Sequence, residues 1–507
     1  MKRENRVNPP PSSKKKKKVG TSSGTSLVCC QRTNLDHNPP LLCFGGGCKN
    51  RQHIICNSKL LSKYATYKCA DCNDGRASLT YHGHQSNEAN KGNVSVCSKE
   101  AVERWILDEE ERFPMETTDG VPSASLPTAK FRHNLKGNQR GDFFYIKERD
   151  CASIDYDKLK ALTHPTVFGS TDYSGMIIPQ AFKDPSFIFE EAKPGTLIEV
   201  FDSYTQERFK LTPGEVLAIQ EIKQEDRCFK MVVLSYVLHD QTFESSLNVY
   251  GGGMMPLAAT KEQIVMPEFV RTHSWLHKAR PKKEAIPPSL WPVLDKLRSF
   301  THLYGLYGEE GTFVNFHQDY SGTSFYYTVM NHGVKVFYIV EKTPRNERLM
   351  RESDAKSLNR IFIEGHPEIN VIRFKVTRGQ ILYLPPGYIH AVLTVKDSVV
   401  YGGNFLSDVG VEDQCRMFLY ELSLKKEDRS LFPHFYEINL LKAYEFMHDF
   451  GEPVKRKESS ERRMDLSKFI DVLETFFKEL LEKKYLQKHI KATKDVLAKI
   501  KAFKENL

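Results

Sequence analysis

Two short stretches carry residues able to hold a metal ion. Asn315-Phe316-His317-Gln318-Asp319-Tyr320 supplies a His-x-Asp pair, and Pro385-Pro386-Gly387-Tyr388-Ile389-His390 supplies a distant histidine. Two imidazoles and one carboxylate form the face that binds non-haem Fe(II) and leaves coordination positions open for a co-substrate and oxygen. Side chains alternate along a strand, so a two-residue step points His317 and Asp319 the same way. His390 follows the apolar run Ile381-Leu382-Tyr383-Leu384 and a Pro-Pro-Gly turn, which places it just past a second strand. By itself His-x-Asp is a common coincidence, so the surrounding residues decide. Lys335 heads a strongly apolar strand. A lysine turned into a barrel is costly without an anion, and the far carboxylate of 2-oxoglutarate, a co-substrate that chelates Fe(II), needs such a cation and hydroxyl donors. Tyr327 and Thr323 offer hydroxyls on the stretch between. The plainer alternative is an exposed strand-edge lysine beside core tyrosines.

The elements that would position these groups are legible as runs rich in β-branched and aromatic residues, separated by Gly, Pro or charged turns. They are Ser324–Met330, Lys335–Val340, Ile372–Val376, Gly379–Leu384, Ala391–Val395 and Ser398–Val400. Short strands without intervening helices predict an antiparallel sandwich or barrel, with His317 and His390 brought together inside it. Upstream, Leu197–Phe201 reads as a strand, Gly214–Lys223 as a helix, Phe229–Leu238 as ambiguous, and His273–Trp275 and Leu290–Lys296 as parts of helices. After Phe405 the pattern turns helical to about Phe450. Lys455-Arg456-Lys457 and Arg462-Arg463 then read as a basic linker. Beyond residue 466, Phe469, Leu473, Phe476, Leu480, Ile490, Leu497 and Ile500 recur at helical spacing, an apolar stripe for packing against the rest of the chain.

The chain has 507 residues, too many for one compact core. Hydrophobic residues make up 40% and charged residues 27%, the balance of a soluble globular protein. No apolar run approaches the roughly 18 residues of a membrane span, and the N-terminus lacks the apolar core of a signal peptide. These features predict an intracellular protein that does not engage membranes. The net charge of +9 favours an anionic partner. Residues 1–26 hold the unbroken run Lys14 to Lys18, a disordered basic tail that reads as a nuclear localisation signal or a nucleic-acid contact, against a merely solubilising tail.

Seven of the eleven cysteines crowd into residues 29–72. In a long intracellular chain, closely spaced thiolates and imidazole suggest zinc, which supplies folding energy that a short segment lacks. The order Cys, Cys, His, Cys, Cys, Cys within residues 27–75 resembles a PHD finger, which holds two zinc ions by interleaved ligand pairs. That resemblance implies one site from Cys43, Cys48, Cys69 and Cys72. The second would take Cys30, His53 and Cys56, with Leu27 where a cysteine belongs and Cys29 as a substitute. Methyl-lysine-reading fingers cage the cation with aromatic rings. Lys49-Asn50-Arg51-Gln52 offers none, so an unmodified-peptide or structural role stands beside methyl-lysine reading. Residues 76–140 read as a linker, with a short helix around Glu100–Glu110 and His82 and His84 in a polar loop.

Taken together, the motifs resemble the JmjC-domain histone lysine demethylases that pair a PHD finger with a JmjC domain. The resemblance is carried by His317-Gln318-Asp319-Tyr320-Ser321-Gly322-Thr323-Ser324, by Lys335-Val336-Phe337-Tyr338 and by Pro386-Gly387-Tyr388-Ile389-His390-Ala391-Val392. The most specific run is Asp397-Ser398-Val399-Val400-Tyr401-Gly402-Gly403-Asn404-Phe405-Leu406. It implies an α+β multi-domain protein. The order is a disordered tail (1–26), a zinc finger (27–75), a linker (76–140), a JmjC double-stranded β-helix, a cupin-like jelly roll, with flanking elements (141–450), and a basic linker with C-terminal helices (451–507). It implies that His317, Asp319 and His390 bind Fe(II), and that Lys335, Tyr327, Thr323 and Asn248 contact 2-oxoglutarate. The activity implied is hydroxylation of the N-methyl group of methyl-lysine on histone tails, histone H3 foremost, releasing formaldehyde and succinate. The setting implied is the nucleus, on chromatin, with DNA phosphates within reach of basic segments. A catalytically weak or inactive chromatin-binding scaffold and a JmjC protein hydroxylase are the rival readings. One departure matters: the family has a threonine three residues before the first iron histidine, where this chain has Val314, and Thr312 or Thr323 could offset the lost hydrogen bond.

Overall fold

The fold is seen in a computed structural model. It describes residues 264–505 except 278–280, 299–303, 357–361, 367, 370, 426–428, 430, 451–459 and 486–487, residues 154–180 except 155, 170 and 173, and short strands elsewhere. The chain divides into two compact units, Met1–His82 and Gly83–Leu507. In the first, β1 (Leu41–Leu42) pairs with β2 (Arg51–Gln52) and β3 (Ala65–Lys68) with β4 (Ser78–Tyr81), both antiparallel. The cysteines and His53 assigned to zinc lie outside the described residues, as do Asn248, the tail, the helices expected at Glu100–Glu110 and Gly214–Lys223, and the loop histidines His82 and His84.

The second unit holds β5 (Phe144–Ile146), α1 (Tyr156–Ala161), β6 (Thr166–Phe168), β7 (Ile198–Asp202), β8 (Glu207–Leu211), β9 (Met231–Val237), α2 (Glu268–His273) and α3 (Trp291–Arg298). There follow β10 (Tyr304–Gly308), β11 (Phe313–His317), β12 (Ser324–Val329), β13 (Val334–Val340), α4 (Pro344–Lys356), β14 (Val371–Thr377), β15 (Ile381–Leu384), β16 (His390–Lys396) and β17 (Ser398–Phe405). Four helices close the chain: α5 (Val411–Ser423), α6 (Phe435–Phe450), α7 (Ser460–Glu482) and α8 (Ile490–Glu505). The strands form a nine-stranded sheet ordered β5-β6-β15-β12-β17-β10-β9-β7-β8 and a four-stranded sheet ordered β11-β16-β13-β14. All neighbours pair antiparallel except β5 with β6.

Alternation sets the core. Phe325, Tyr327 and Val329 of β12 and Phe337 and Ile339 of β13 lie on one face of their strands and meet between the two sheets with Phe374, Leu382 and Val400. The opposite face of the four-stranded sheet carries Val336, Tyr338, Val340, Ala391 and Leu393 and is covered by Met350 of α4 with Phe362 and Ile369. In the nine-stranded sheet β12, β15 and β17 are buried at every position, on both faces, which is why they carry so few charged residues.

The third cluster is helical. Phe418 of α5 stacks on Phe435 of α6 at 4.4 Å, and Phe476 of α7 meets both edge-on. Phe469, Leu473, Phe476, Leu480 and Ile500 are buried here with Trp275, so the apolar stripe seen in the sequence is a packing face. Ile490 departs from it, being 41% exposed. It opens α8 and lies off the face that Thr493, Val496, Ile500 and Phe503 bury. The expected basic linker is also shorter than read, because Arg462 and Arg463 fall inside α7. No helix among the described residues is long and apolar enough to cross a membrane.

Candidate metal centre

β11 lies beside β16 with Val314 opposite Val392 and His317 opposite His390. Three steps on β11 therefore match two on β16, so one extra residue is taken up by a β-bulge. The bulge lets Phe313 and Phe316, three apart, both join the outer apolar cluster, and it leaves Val314 and His317 on the same inner side. The strand ends at His317. Asp319, expected on the strand by alternation, instead caps the 3-10 turn Tyr320–Gly322 in extended conformation (φ −65°, ψ 146°). The same-side placement of the two ligands thus comes from a bulge and a turn, where the spacing alone suggested a regular strand.

The three side chains nonetheless converge. One ligand atom from each of His317, Asp319 and His390 lies within 4.8 Å of the others. Among the described residues no other group of three His, Cys, Asp or Glu side chains does so. The His317 and His390 rings are 4.3 Å apart, and His317 Nε2 is 3.7 Å from Asp319 Oδ1. Each imidazole is oriented by its own backbone: His317 Nδ1 lies 2.8 Å from the Asn315 carbonyl and His390 Nδ1 3.3 Å from that of Tyr388. A carbonyl only accepts, so Nδ1 carries the proton in both rings and each Nε2 is left for a metal. Burial, then the neighbouring His317, push the His390 imidazole well below its ordinary pKa, while the Tyr388 carbonyl opposes. His390 is therefore neutral, the form that ligates. Two nitrogens and one carboxylate oxygen suit a divalent first-row metal, Fe(II) included.

Asp319 is held in turn. Asn404 Nδ2 donates to Asp319 Oδ2 at 2.7 Å and lies 2.9 Å from the Thr323 hydroxyl. Gln318 Nε2 donates to the Gly387 carbonyl at 2.7 Å, and Lys342 Nζ to that of Pro386 at 2.9 Å, so the loop before His390 is gripped from two sides. Thr323 also donates to the Tyr320 carbonyl at 3.1 Å, which places this expected co-substrate contact in the turn behind Asp319.

Lys335 lies on the inner face of β13, four residues along β16 from His390 by its pairing with Thr394. It is 3% exposed, and its Nζ donates to the Thr394 hydroxyl at 2.5 Å. Thr312 Oγ1 bonds the same hydroxyl at 2.8 Å. Desolvation lowers the Lys335 pKa to about 7, against the opposing attraction of Asp397. A Cβ on Gly308 would stand 2.3 Å from Nζ, so only glycine there leaves the amine its place. Tyr327, on the facing sheet, is buried against Phe325 and Phe337, and burial pushes its phenol pKa up. The exposed-edge alternative for Lys335 is thereby set aside. Thr394, Asn404 and Gln318 were not singled out from the sequence. Thr394 and Asn404 are polar residues inside otherwise apolar strands, and that is the signal that could have found them.

The fold and site together define a two-sheet protein carrying a His-Asp-His centre beside a buried lysine. Among curated proteins, the chain is 25% identical over 323 residues to lysine-specific demethylase 7A of Danio rerio, covering 63% of this chain and 33% of that protein. It is 33% identical over 175 residues to lysine-specific demethylase 7B of the same fish, covering 34% and 28%. It is also 26% identical over 285 residues to histone lysine demethylase PHF8 of Danio rerio, covering 56% and 24%. The matched stretches thus span a quarter to a third of these relatives. No family model matches the chain. Its homologues are JmjC-type histone lysine demethylases.

Proposed function

We propose that the chain is an Fe(II)- and 2-oxoglutarate-dependent dioxygenase that demethylates lysine on histone tails, histone H3 foremost, with its sheets forming a JmjC jelly roll. The observation that carries this reading is the convergence of His317, Asp319 and His390 within 4.8 Å in a chain homologous to demethylases. His317, Asp319 and His390 would hold the iron, which with 2-oxoglutarate as reductant and molecular oxygen as oxidant would supply hydroxylation of the N-methyl carbon. The carbon leaves as formaldehyde. The chain's own residues bind and orient. Lys335 takes a proton as the far carboxylate arrives, Thr394 offers a hydroxyl beside it, and Tyr327 is the further hydroxyl that the reading assigns to the co-substrate. Asn404 fixes the carboxylate of Asp319, and the neutral state of His390 keeps its Nε2 free for metal. Thr323 and Asn248 complete the proposed co-substrate contacts. The same reading takes residues 27–75 as a zinc finger for histone peptide, and the basic segments as contacts to DNA phosphate in the nucleus.

The test is formaldehyde release from a panel of methylated histone H3 peptides, supplied with Fe(II) and 2-oxoglutarate. Release from a methylated peptide and none from its unmodified counterpart is expected. Succinate formed with an unmodified protein, without formaldehyde, would replace the demethylase reading with a hydroxylase. Absence of succinate at saturating iron and 2-oxoglutarate would leave a chromatin-binding scaffold.

A further inference from the structure

Glu421 stands where three physical effects oppose a carboxylate. It is 6% exposed, it lies in the last turn of α5, where the helix dipole is negative, and Asp319 repels it. Burial foremost raises its pKa to about 7, in spite of two hydrogen bonds that lower it. Those bonds reach the turn beside the metal centre. Ser321 N–H donates to Glu421 Oε1 at 2.7 Å, and Ser321 Oγ donates to Oε2 at 3.0 Å. Ser321 Oγ also accepts from Phe432 N–H at 2.9 Å. Ser321 itself holds φ +52°, a left-handed conformation that a non-glycine residue adopts only when its surroundings impose it. Next to it Gly322 (φ +57°) lies so close to α5 that a Cβ would stand 3.0 Å from Met417 and 3.1 Å from the Asp413 carbonyl. A buried carboxylate retained against its own energetics, on a strained turn that begins at a metal ligand, has a geometric purpose.

We propose that Glu421 is a positioning residue for the metal centre: its carboxylate clasps the Ser321 turn that aims Asp319 and so ties the centre to the C-terminal helical layer. The inference rests on the iron reading above. It reaches the metal only through Asp319, as the partners behind metal ligands do, where loss of one typically weakens binding by ~10- to 100-fold.

The experiment is titration of the full chain with Mn(II), read by loss of the free-ion electron paramagnetic resonance signal, with His317→Ala as the blank and thermal melting alongside. Glu421→Ala is expected to weaken Mn(II) binding about tenfold or more. Glu421→Gln, whose amide oxygen still accepts from Ser321 N–H, should stay within about threefold of wild type, because the turn keeps its acceptor when the charge is lost. Wild-type affinity in Glu421→Ala overturns the proposal. Should that variant fail to fold, Glu421→Met decides, because it keeps the bulk while removing both acceptors of the Ser321 turn. A several-fold weaker affinity supports the proposal and an unchanged one overturns it. A wild-type chain that binds no Mn(II) beyond the His317→Ala blank defeats the iron reading itself, a result separable from any effect of Glu421.

Discussion

The two ends of the inner face of β16 are built in opposite ways. At His390 the polar groups are many and come from far apart: a bulged strand, a 3-10 turn, Asn404 on β17 and Glu421 on α5. At Thr394, roughly 13 Å along the strand, a single buried amine meets one threonine hydroxyl, itself bonded by Thr312, and a glycine notch. The first end has its ligands oriented in advance, with protein groups answering each one. The second holds an amine whose charge is not matched at contact distance by the one hydroxyl it bonds. A site of that kind is destabilising until an anion arrives, whereas the metal end is already stitched together by hydrogen bonds.

The largest expected effect lies at the metal end. Asp319→Ala removes a ligand and the acceptor of Asn404 together, so Fe(II)-dependent succinate production should fall below detection. Measurable turnover in that variant would break the contrast between a built end and a waiting one. At the other end, Lys335→Met should weaken 2-oxoglutarate binding by about 1.5–3 kcal/mol, roughly 10- to 150-fold in KM. The same substitution should raise the melting temperature of the ligand-free chain at pH 7, since an apolar chain replaces a buried amine. The pH dependence follows from the depressed amine. Above about pH 7 the unfolded lysine still binds a proton that the folded one has released, so Lys335 makes stability rise with pH from about 7 towards 10.5, where both states are neutral. A flat profile in wild type, or one unchanged by Lys335→Met, would contradict the assignment; calorimetry in buffers of different ionisation enthalpy should show proton uptake when 2-oxoglutarate binds at pH 8. The smallest effect is expected from Val314→Thr. Val314 shares the inner side with His317, so an added hydroxyl there should tighten 2-oxoglutarate by about 1 kcal/mol, some fivefold in KM.

The same contrast governs what could be read from the sequence. The central strands were legible where β-formers run between turns, in Ser324–Val329, Ile381–Leu384 and Ser398–Val400, whereas the continuation of β17 through Gly402-Gly403-Asn404 to Phe405 was not. At the lysine end the sequence showed only that Lys335 heads an apolar strand, and it is the pairing of β13 with β16 that turns Lys335 inward with Phe337. β10 was not legible: Tyr-Gly-Leu-Tyr-Gly carries two glycines and no β-branched residue. The convergence at the metal end was anticipated on a partly wrong ground. Alternation was invoked for Asp319, which lies beyond the strand, and the bulge that aims His317 depends on pairing with β16 rather than on any local pattern. Glu421 lies 100 residues from Ser321, so no window along the chain could link them.

Gly308 sets a limit on how such chains can be judged. It belongs to none of the runs that mark the family resemblance, yet a methyl group there would stand 2.3 Å from the Lys335 amine and force it to shift. A homologue could keep His317, Asp319, His390 and the lysine, pass any inspection of its signature residues, and still have the proposed co-substrate seat disturbed from behind by the neighbouring strand. Competence in this fold is therefore as much a matter of an atom left out as of the side chains retained.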